Sequence, residues 1–219
     1  AMRSVAGVVQ VGRRFVVAWI LTVLKMGTYW TCYIWLPSFL LNEMGQRIGK
    51  SMIWVLTAQI GQFVGMLMFG NMADRAGRRP AFCAYSLLTA SALAMLAFNW
   101  KWLTLHPPLF WLTMLMLGFG SGCTAGFGAL LAELFPTEIR GAAMGATYNL
   151  ARSVQLLAPV VVAAMKLRFG LAGGLSVPLV LALATASWVW MLPETRGITL
   201  PRMFMSPRAS SGNHPKRRP

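Results

Sequence analysis

The chain has 219 residues, 57% of them apolar and only 11% charged, and its 20 Lys and Arg against 5 Asp and Glu give a net charge of +15. A soluble domain of this length carries roughly a quarter charged residues, so composition excludes an ordinary soluble domain and points to a polytopic membrane protein. The positive charge lies in short segments between apolar runs, not along a basic face, which excludes nucleic acid as the partner.

Crossing about 30 Å of hydrocarbon takes about 20 apolar residues in a helix. Six stretches qualify: 15–41, 51–70, 81–100, 108–134, 142–165 and 173–192. They predict an all-α membrane protein with a cytoplasmic lead-in at 1–14, a domain of six transmembrane helices at 15–192 and a cytoplasmic tail at 193–219. The first run is too long for the h-region of a signal peptide. Ala1–Gln10 does not read as a native start, so the expectation is a piece of a longer chain.

The cations divide by side. Arg3, Arg13, Arg14, Arg75, Arg78, Arg79, Arg140, Arg196, Arg202, Arg208, Lys216, Arg217 and Arg218 fall on one side of the spans. Arg47, Lys50, Lys101, Lys166 and Arg168 fall on the other. The positive-inside rule then places both termini in the cytoplasm. The connectors at 42–50, which holds Glu43, and at 101–107 and 166–172 read as external loops. The tail from Pro201 is rich in Pro, Ser, Gly and Arg and reads as disordered. Its Lys216-Arg217-Arg218 reads as an orientation signal, or as a contact for anionic lipid.

Between spans two and three lies Gly70-Asn71-Met72-Ala73-Asp74-Arg75-Ala76-Gly77-Arg78-Arg79-Pro80, expected as a tight cationic loop. Asp74, Glu133, Glu138 and Glu194 all fall at cytoplasmic helix ends, beside Arg75, Arg78, Arg79, Arg140 and Arg196. Unpaired charge near the membrane is costly, so these groups are expected to pair and hold that face closed; the alternative is that they only fix topology. Asp74 is also a candidate to face a helix N-terminus, where a carboxylate is favoured. In span four, Gly118, Gly122 and Gly126 share a face, which lets a neighbouring backbone approach closely and is compatible with a sliding, gating helix. Cys32, Cys83 and Cys123 sit in three different spans and read as small buried residues with no disulfide framework.

These residues carry a family resemblance. Gly70-x-x-x-Asp74-Arg75-x-Gly77-Arg78-Arg79 resembles the signature loop of the major facilitator superfamily. Glu133-x-x-Pro136-x-x-x-Arg140-Gly141 resembles the loop before the eleventh helix in sugar-porter-like and organic-acid symporter members. Pro193-Glu194-Thr195-Arg196-Gly197 resembles the motif after the twelfth. Their order is that of a carboxy-terminal half. The resemblance implies six helices of a twelve-helix carrier, built as two inverted three-helix repeats. It further implies a cytoplasmic gate network of Asp74, Arg78, Glu133, Arg140 and Glu194, with Arg75, Arg79 and Arg196 beside it. Tyr148-Asn149-x-x-Arg152 followed by Pro159 is more similar to the organic-acid and sialic-acid proton symporters than to glucose carriers. The Gln-Gln pair of hexose carriers has no counterpart: Gln155 stands alone, with Gln59 and Gln62 in another span.

Two more cations lie inside spans. Lys25 is ten residues into span one, about 15 Å deep, and Arg152 is at a similar depth in span five. Glu133, in the last turn of the fourth stretch, is the one acid inside a span, and none lies at that depth. Intramembrane ionisable residues are functional candidates, and a planar guanidinium suits a carboxylate. Arg152, Lys25, Tyr29 and Asn149 are therefore the candidate substrate-binding residues; the alternatives are acids supplied by an absent amino-terminal half, or snorkelling. Tyr29, Trp30, Tyr33 and Trp35 read either as a stacking wall or as an interfacial belt.

The function expected is secondary active transport of a small organic anion, coupled to protons, in the bacterial inner membrane. The partners are the substrate, protons, the lipid bilayer and the missing amino-terminal half. A neutral-sugar carrier and a non-transporting half-carrier are the alternatives. His106 and His214 lie outside the spans and no Ser-His-acid set or metal cluster is visible, so neither an enzyme nor a cofactor is expected.

Overall fold

The computed structural model describes residues 2–42 and 48–194. The expectations on Glu43, Arg47, Arg196 and the tail lie outside the described residues, and those on the side chains of Arg3, Trp35 and Lys50 lie outside the described side chains.

A backbone in lipid has no water to bond, so each spanning segment must satisfy its own N–H and C=O groups. The chain does so as helices: α1 (Met2–Asn42), α2 (Ile48–Ala76), α3 (Arg78–Phe98), α4 (Trp100–Leu105), α5 (Pro107–Ser121), α6 (Gly126–Leu134), α7 (Arg140–Val154) and α8 (Ala158–Trp188). Single turns of 3₁₀ helix at Gly122–Ala125 and Gln155–Leu157 join α5 to α6 and α7 to α8, and a third, Val189–Met191, ends the bundle. Among the described residues, six helical stretches are long and apolar enough to cross a membrane: Val9–Tyr33, Met52–Ala76, Arg78–Phe98, Pro107–Leu134, Arg140–Gly170 and Ala172–Met191. The fold is an all-α, six-helix bundle of an integral, multi-pass membrane protein. Threonine hydroxyls in the spans bond within their own helix, as Thr22 does to the Ala18 carbonyl at 2.8 Å and Thr147 to that of Ala143 at 2.7 Å, so these groups add no unsatisfied polarity.

Three connectors differ from expectation. The cationic loop is almost all helix: α2 runs on through Asp74 and Arg75, α3 starts at Arg78, and only Gly77, at φ 105°, breaks the path. That dihedral is left-handed territory open to glycine. The connector at 101–107 contains α4, and the one at 166–172 is one sharp break at Gly170 (φ 64°, ψ −151°) inside α8. The lead-in before residue 15 is continuous with α1. Short polar connectors between apolar helices fold as helix here because helix satisfies their backbone within the chain.

The tightest packing joins α2 to α5. A Cβ on Gly118 would overlap the Ala58 carbonyl oxygen, one on Gly122 would fall 2.5 Å from the Gly65 carbonyl carbon, and one on Gly126 would enter the Phe69 ring. The fit is mutual, since Gly61 and Gly65 of α2 meet the backbone of Leu115 and Phe119. α3 packs against α5 and α8, and α1 against α7 and α8. Cys32 and Cys123 are buried and all three cysteines are free thiols. At the end bearing Asp74, Phe69, Phe82, Tyr85 and Phe127 interlock edge to face with centroids 4.9–5.2 Å apart.

A methyl group at Gly118 has nowhere to go, whereas nothing lies within 4 Å of one at Gly128. Gly118→Ala is expected to lower stability in detergent by about 2 kcal/mol or more, in the range of overpacked cores. Gly128→Ala is expected to be neutral or slightly stabilising. Denaturant unfolding of the two variants side by side checks this.

Candidate functional site

The charged end is built around one carboxylate and one guanidinium. The last described residue, Glu194, places its carboxylate over the start of α3: Oε1 accepts the Arg78 backbone N–H at 2.8 Å and Oε2 that of Arg79 at 3.2 Å. The first N–H groups of a helix have no partner of their own, and an anion there also meets the positive end of the helix dipole. Gly77 is needed twice, for its positive φ and because a Cβ would lie 3.0 Å from Glu194 Oε2. The helix-terminus role expected of Asp74 thus belongs to Glu194, which arrives from the far end of the chain.

Arg78 is the hub. Its Nη2 lies 3.0 Å from Glu133 Oε1, and its Nη1 lies 3.1 Å from Asp74 Oδ1 one helical turn back. The Arg78 and Glu133 side chains are 15% and 18% exposed, while Asp74 is 69% exposed, so the inter-helix pair is the better shielded from water. Asp74, Arg78, Glu133 and Glu194 are therefore brought together. Arg140 points elsewhere: its Nε donates to the Phe135 carbonyl and its Nη2 to the Thr137 hydroxyl, bracing the turn before α7. Arg79 contributes its backbone N–H, but its buried Nε has no partner among the described residues. Arg75 is exposed on α2 in a shallow depression with Met68, Asn71 and Met72.

Deeper in the bundle is a cavity of about 260 Å³ lined by Thr22, Lys25, Met26, Tyr29, Trp30, Gln62, Met66, Thr124, Phe127 and Tyr148. Lys25 is 2% exposed, and its ammonium donates to the Gly120 carbonyl on α5 at 3.4 Å. The acids among the described residues, Asp74, Glu133, Glu138 and Glu194, all belong to helix ends and turns. Lys25 is thus a buried cation at the edge of a cavity, with a neutral oxygen for its bond. Tyr29 stands T-shaped to Trp30 at 5.8 Å and packs on Tyr33 at 4.7 Å, so the cavity has an aromatic wall.

Of the expected binding residues, Lys25 and Tyr29 line this cavity. Arg152 does not line it; its guanidinium carbon stands 5.9 Å from the centre of the Trp30 ring, which does. Asn149 is turned away, its exposed amide donating to the Gly145 carbonyl of its own helix. Sequence reasoning missed Thr22, Gln62, Thr124 and Tyr148 as lining residues. Thr22 and Tyr29 were legible, three and four residues from Lys25 on one helical face. Gln62, 7% exposed, was visible as a polar residue inside an apolar run. Thr124 was not, because the 3₁₀ turn rather than helical spacing aims it. Among the described residues, no group of three His, Cys, Asp or Glu is placed to hold a metal ion.

The six-span bundle defines an integral, multi-pass membrane protein. The profile described as Major Facilitator Superfamily matches residues 10–211, and the chain belongs to that family. It is similar to a putative metabolite transport protein of Haemophilus influenzae, 31% identical over 83% of this chain and 44% of that protein. A probable 4-methylmuconolactone transporter of Cupriavidus pinatubonensis is 32% identical over 82% of this chain and 42% of its own length. A citrate-proton symporter of Klebsiella pneumoniae is 28% identical over 70% of this chain and 35% of its own. The chain thus spans less than half the length of these relatives. In fold it resembles the POT family transporter PepTSo, with a TM-score of 0.65 at 18% identity over 82% of this chain and 37% of that one.

Glu133→Gln removes the shielded partner of Arg78, and Asp74→Asn the exposed one. The first is expected to lower stability by about 1–3 kcal/mol, since it leaves a half-buried charge poorly paired. The second is expected to change it by about 0.5 kcal/mol or less. Chemical denaturation in detergent, with wild type alongside, measures both.

Proposed function

We propose that the chain is the carboxy-terminal half of a secondary carrier that moves a small organic anion, coupled to protons, by alternating access. The observation that carries the reading is Lys25: a buried ammonium beside a cavity, bonded to a neutral carbonyl 3.4 Å away. A cation at mid-membrane depth costs about 2.5–3.5 kcal/mol on insertion scales. A carboxylate in the cavity offsets that cost with a charge-assisted bond. The relatives support the class, since citrate is a carboxylate carried with protons by one of them. Arg152, held over Trp30 at the margin, supplies a second cation where an anion enters. Tyr29 and Trp30 favour a substrate with a flat, unsaturated body.

The charge network is the closing device of the same carrier. Arg78, Glu133 and Glu194 join the ends of α3, α6 and α8, so opening that face requires these bonds to part. The cation distribution supports a cytoplasmic side for that face and for both termini, and the bacterial relatives support an inner-membrane location. The amino-terminal six-helix half supplies the opposite wall of the cavity. The apolar outer face of α2, with Ile53, Leu56, Ile60, Phe63 and Leu67 all at least half exposed, is free for lipid or for that half.

An uptake panel of benzoate, muconate, citrate and glucose, run on the complete carrier in proteoliposomes, tests the substrate class. At least one carboxylate is expected to accumulate, with uptake rising under an inward proton gradient. Lys25→Gln is expected to lower its uptake about 100-fold or more, in line with losing one buried charged contact of about 3 kcal/mol. Glucose uptake that survives Lys25→Gln, with no carboxylate accumulated by wild type, makes the sugar reading the correct one. Topology has its own check: single cysteines at Ser210 and Lys101 are expected to label from opposite sides of the membrane.

A further inference from the structure

The break between α5 and α6 lies directly beside Lys25. Helix α5 ends at Ser121, and the next four residues, Gly122–Ala125, tighten into a 3₁₀ turn. Such a turn within a span has poorer hydrogen-bond geometry than the helix around it and often marks a hinge. The Gly120 carbonyl at its threshold accepts two side-chain donors, Lys25 Nζ and the Cys123 thiol, each at 3.4 Å. Thr124, within the turn, lines the same cavity as Lys25. Ammonium, hinge and cavity therefore share one small volume.

The hinge is also geared to its neighbours. A Cβ on Gly120 would lie 2.7 Å from the Thr89 amide nitrogen and the Tyr85 carbonyl of α3, and one on Gly122 would lie 2.6 Å from the Met66 nitrogen of α2. With backbones this close, a change in the turn cannot be absorbed by side chains and must shift α2 or α3. Those helices carry the charged end: Asp74 sits near the end of α2 and Arg78 opens α3.

We propose that Lys25 is a two-position switch, holding the Gly120 carbonyl as the structure shows and moving to the substrate carboxylate when one enters the cavity, which releases the Gly122–Ala125 turn. The inference rests on the organic-anion reading above and extends it from binding to coupling. The energetics favour the exchange. At 3.4 Å the bond to a neutral carbonyl is longer than the usual N–H···O range of about 2.7–3.2 Å. An ammonium–carboxylate bond is shorter and roughly twice as strong as a neutral one. A ligand can shift a conformational equilibrium only through differential contacts with its two states, and the freed Gly120 carbonyl supplies that difference.

Cys123 is a built-in reporter, because it is fully buried and bonded to the same carbonyl. The complete carrier in proteoliposomes is treated with N-ethylmaleimide, with and without benzoate, muconate or citrate. Peptide mass spectrometry follows alkylation of Cys123 against that of Cys32, and equilibrium dialysis measures binding of each carboxylate. A bound carboxylate is expected to speed Cys123 alkylation about tenfold, within the usual range for linked sites, and to leave Cys32 unchanged. Lys25→Met is expected to make Cys123 reactive without ligand and insensitive to it. The wild-type comparison needs no substitution, so a Lys25→Met protein that fails to insert leaves the test intact. A carboxylate that binds without changing Cys123 alkylation overturns the switch and leaves Lys25 a binding residue with a static strut. If none of the three binds wild type, the organic-anion reading fails, and the switch with it.

Discussion

In lipid no hydrophobic force drives one helix against another, so contact must come from backbones that fit closely. The α2–α5 seam is where this chain achieves that fit, and the interior follows from it. Gly61 and Gly65 on one side and Gly118 and Gly122 on the other bring the two backbones into direct contact. The contact sets Gln62 and Met66 of α2 and Thr124 of the 3₁₀ turn around one cavity, with Lys25 of α1 beside it. It also carries Tyr85 into reach of the Gly65 carbonyl, to which its hydroxyl donates at 3.1 Å. That bond ties α3 to the same seam.

The charged end follows a different rule. Its charges lie near a membrane surface, where an exposed pair contributes little. What distinguishes the arrangement is that several helix ends meet in it. Arg78 joins α3 to α6 through Glu133, and Glu194 returns from beyond α8 to the first two N–H groups of α3. Hydrogen bonds to a helix terminus are specific in geometry and modest in strength. The Phe69–Phe82–Tyr85–Phe127 cluster belongs to the core beside these helix ends, so the polar closure is backed by packed rings.

Lys25 is not satisfied within its own helix. The threonines of the spans bond their own helix, Trp188 of α8 bonds the Val17 carbonyl of α1 at 3.0 Å, and Gln155 bonds the Val23 carbonyl at 3.2 Å. These polar side chains are spent on structure. A buried ammonium with three donors is held, among the described residues, by one long bond to a neutral acceptor at the edge of a cavity.

The chain's all-α class, its six spans and the grouping of four of its five acids at one end were determined by the sequence itself. Length and apolarity decide what crosses a bilayer, and a backbone in lipid has only the helix to adopt within one segment. The cation at Lys25 and the glycine face of the fourth span were legible for the same reason: each is a local pattern of charge or size. The tertiary structure alone decided what depends on neighbours far apart in sequence. It gave the helix-terminus role to Glu194 instead of Asp74, turned Arg140 toward Phe135 and Thr137, and directed Asn149 out of the cavity. It placed Gln62, Thr124 and Tyr148 around Lys25, and reduced an eleven-residue loop to the single break at Gly77. Helical spacing predicts which residues share a face but not which helix that face meets, and a 3₁₀ turn or one left-handed glycine changes the phase of every side chain after it.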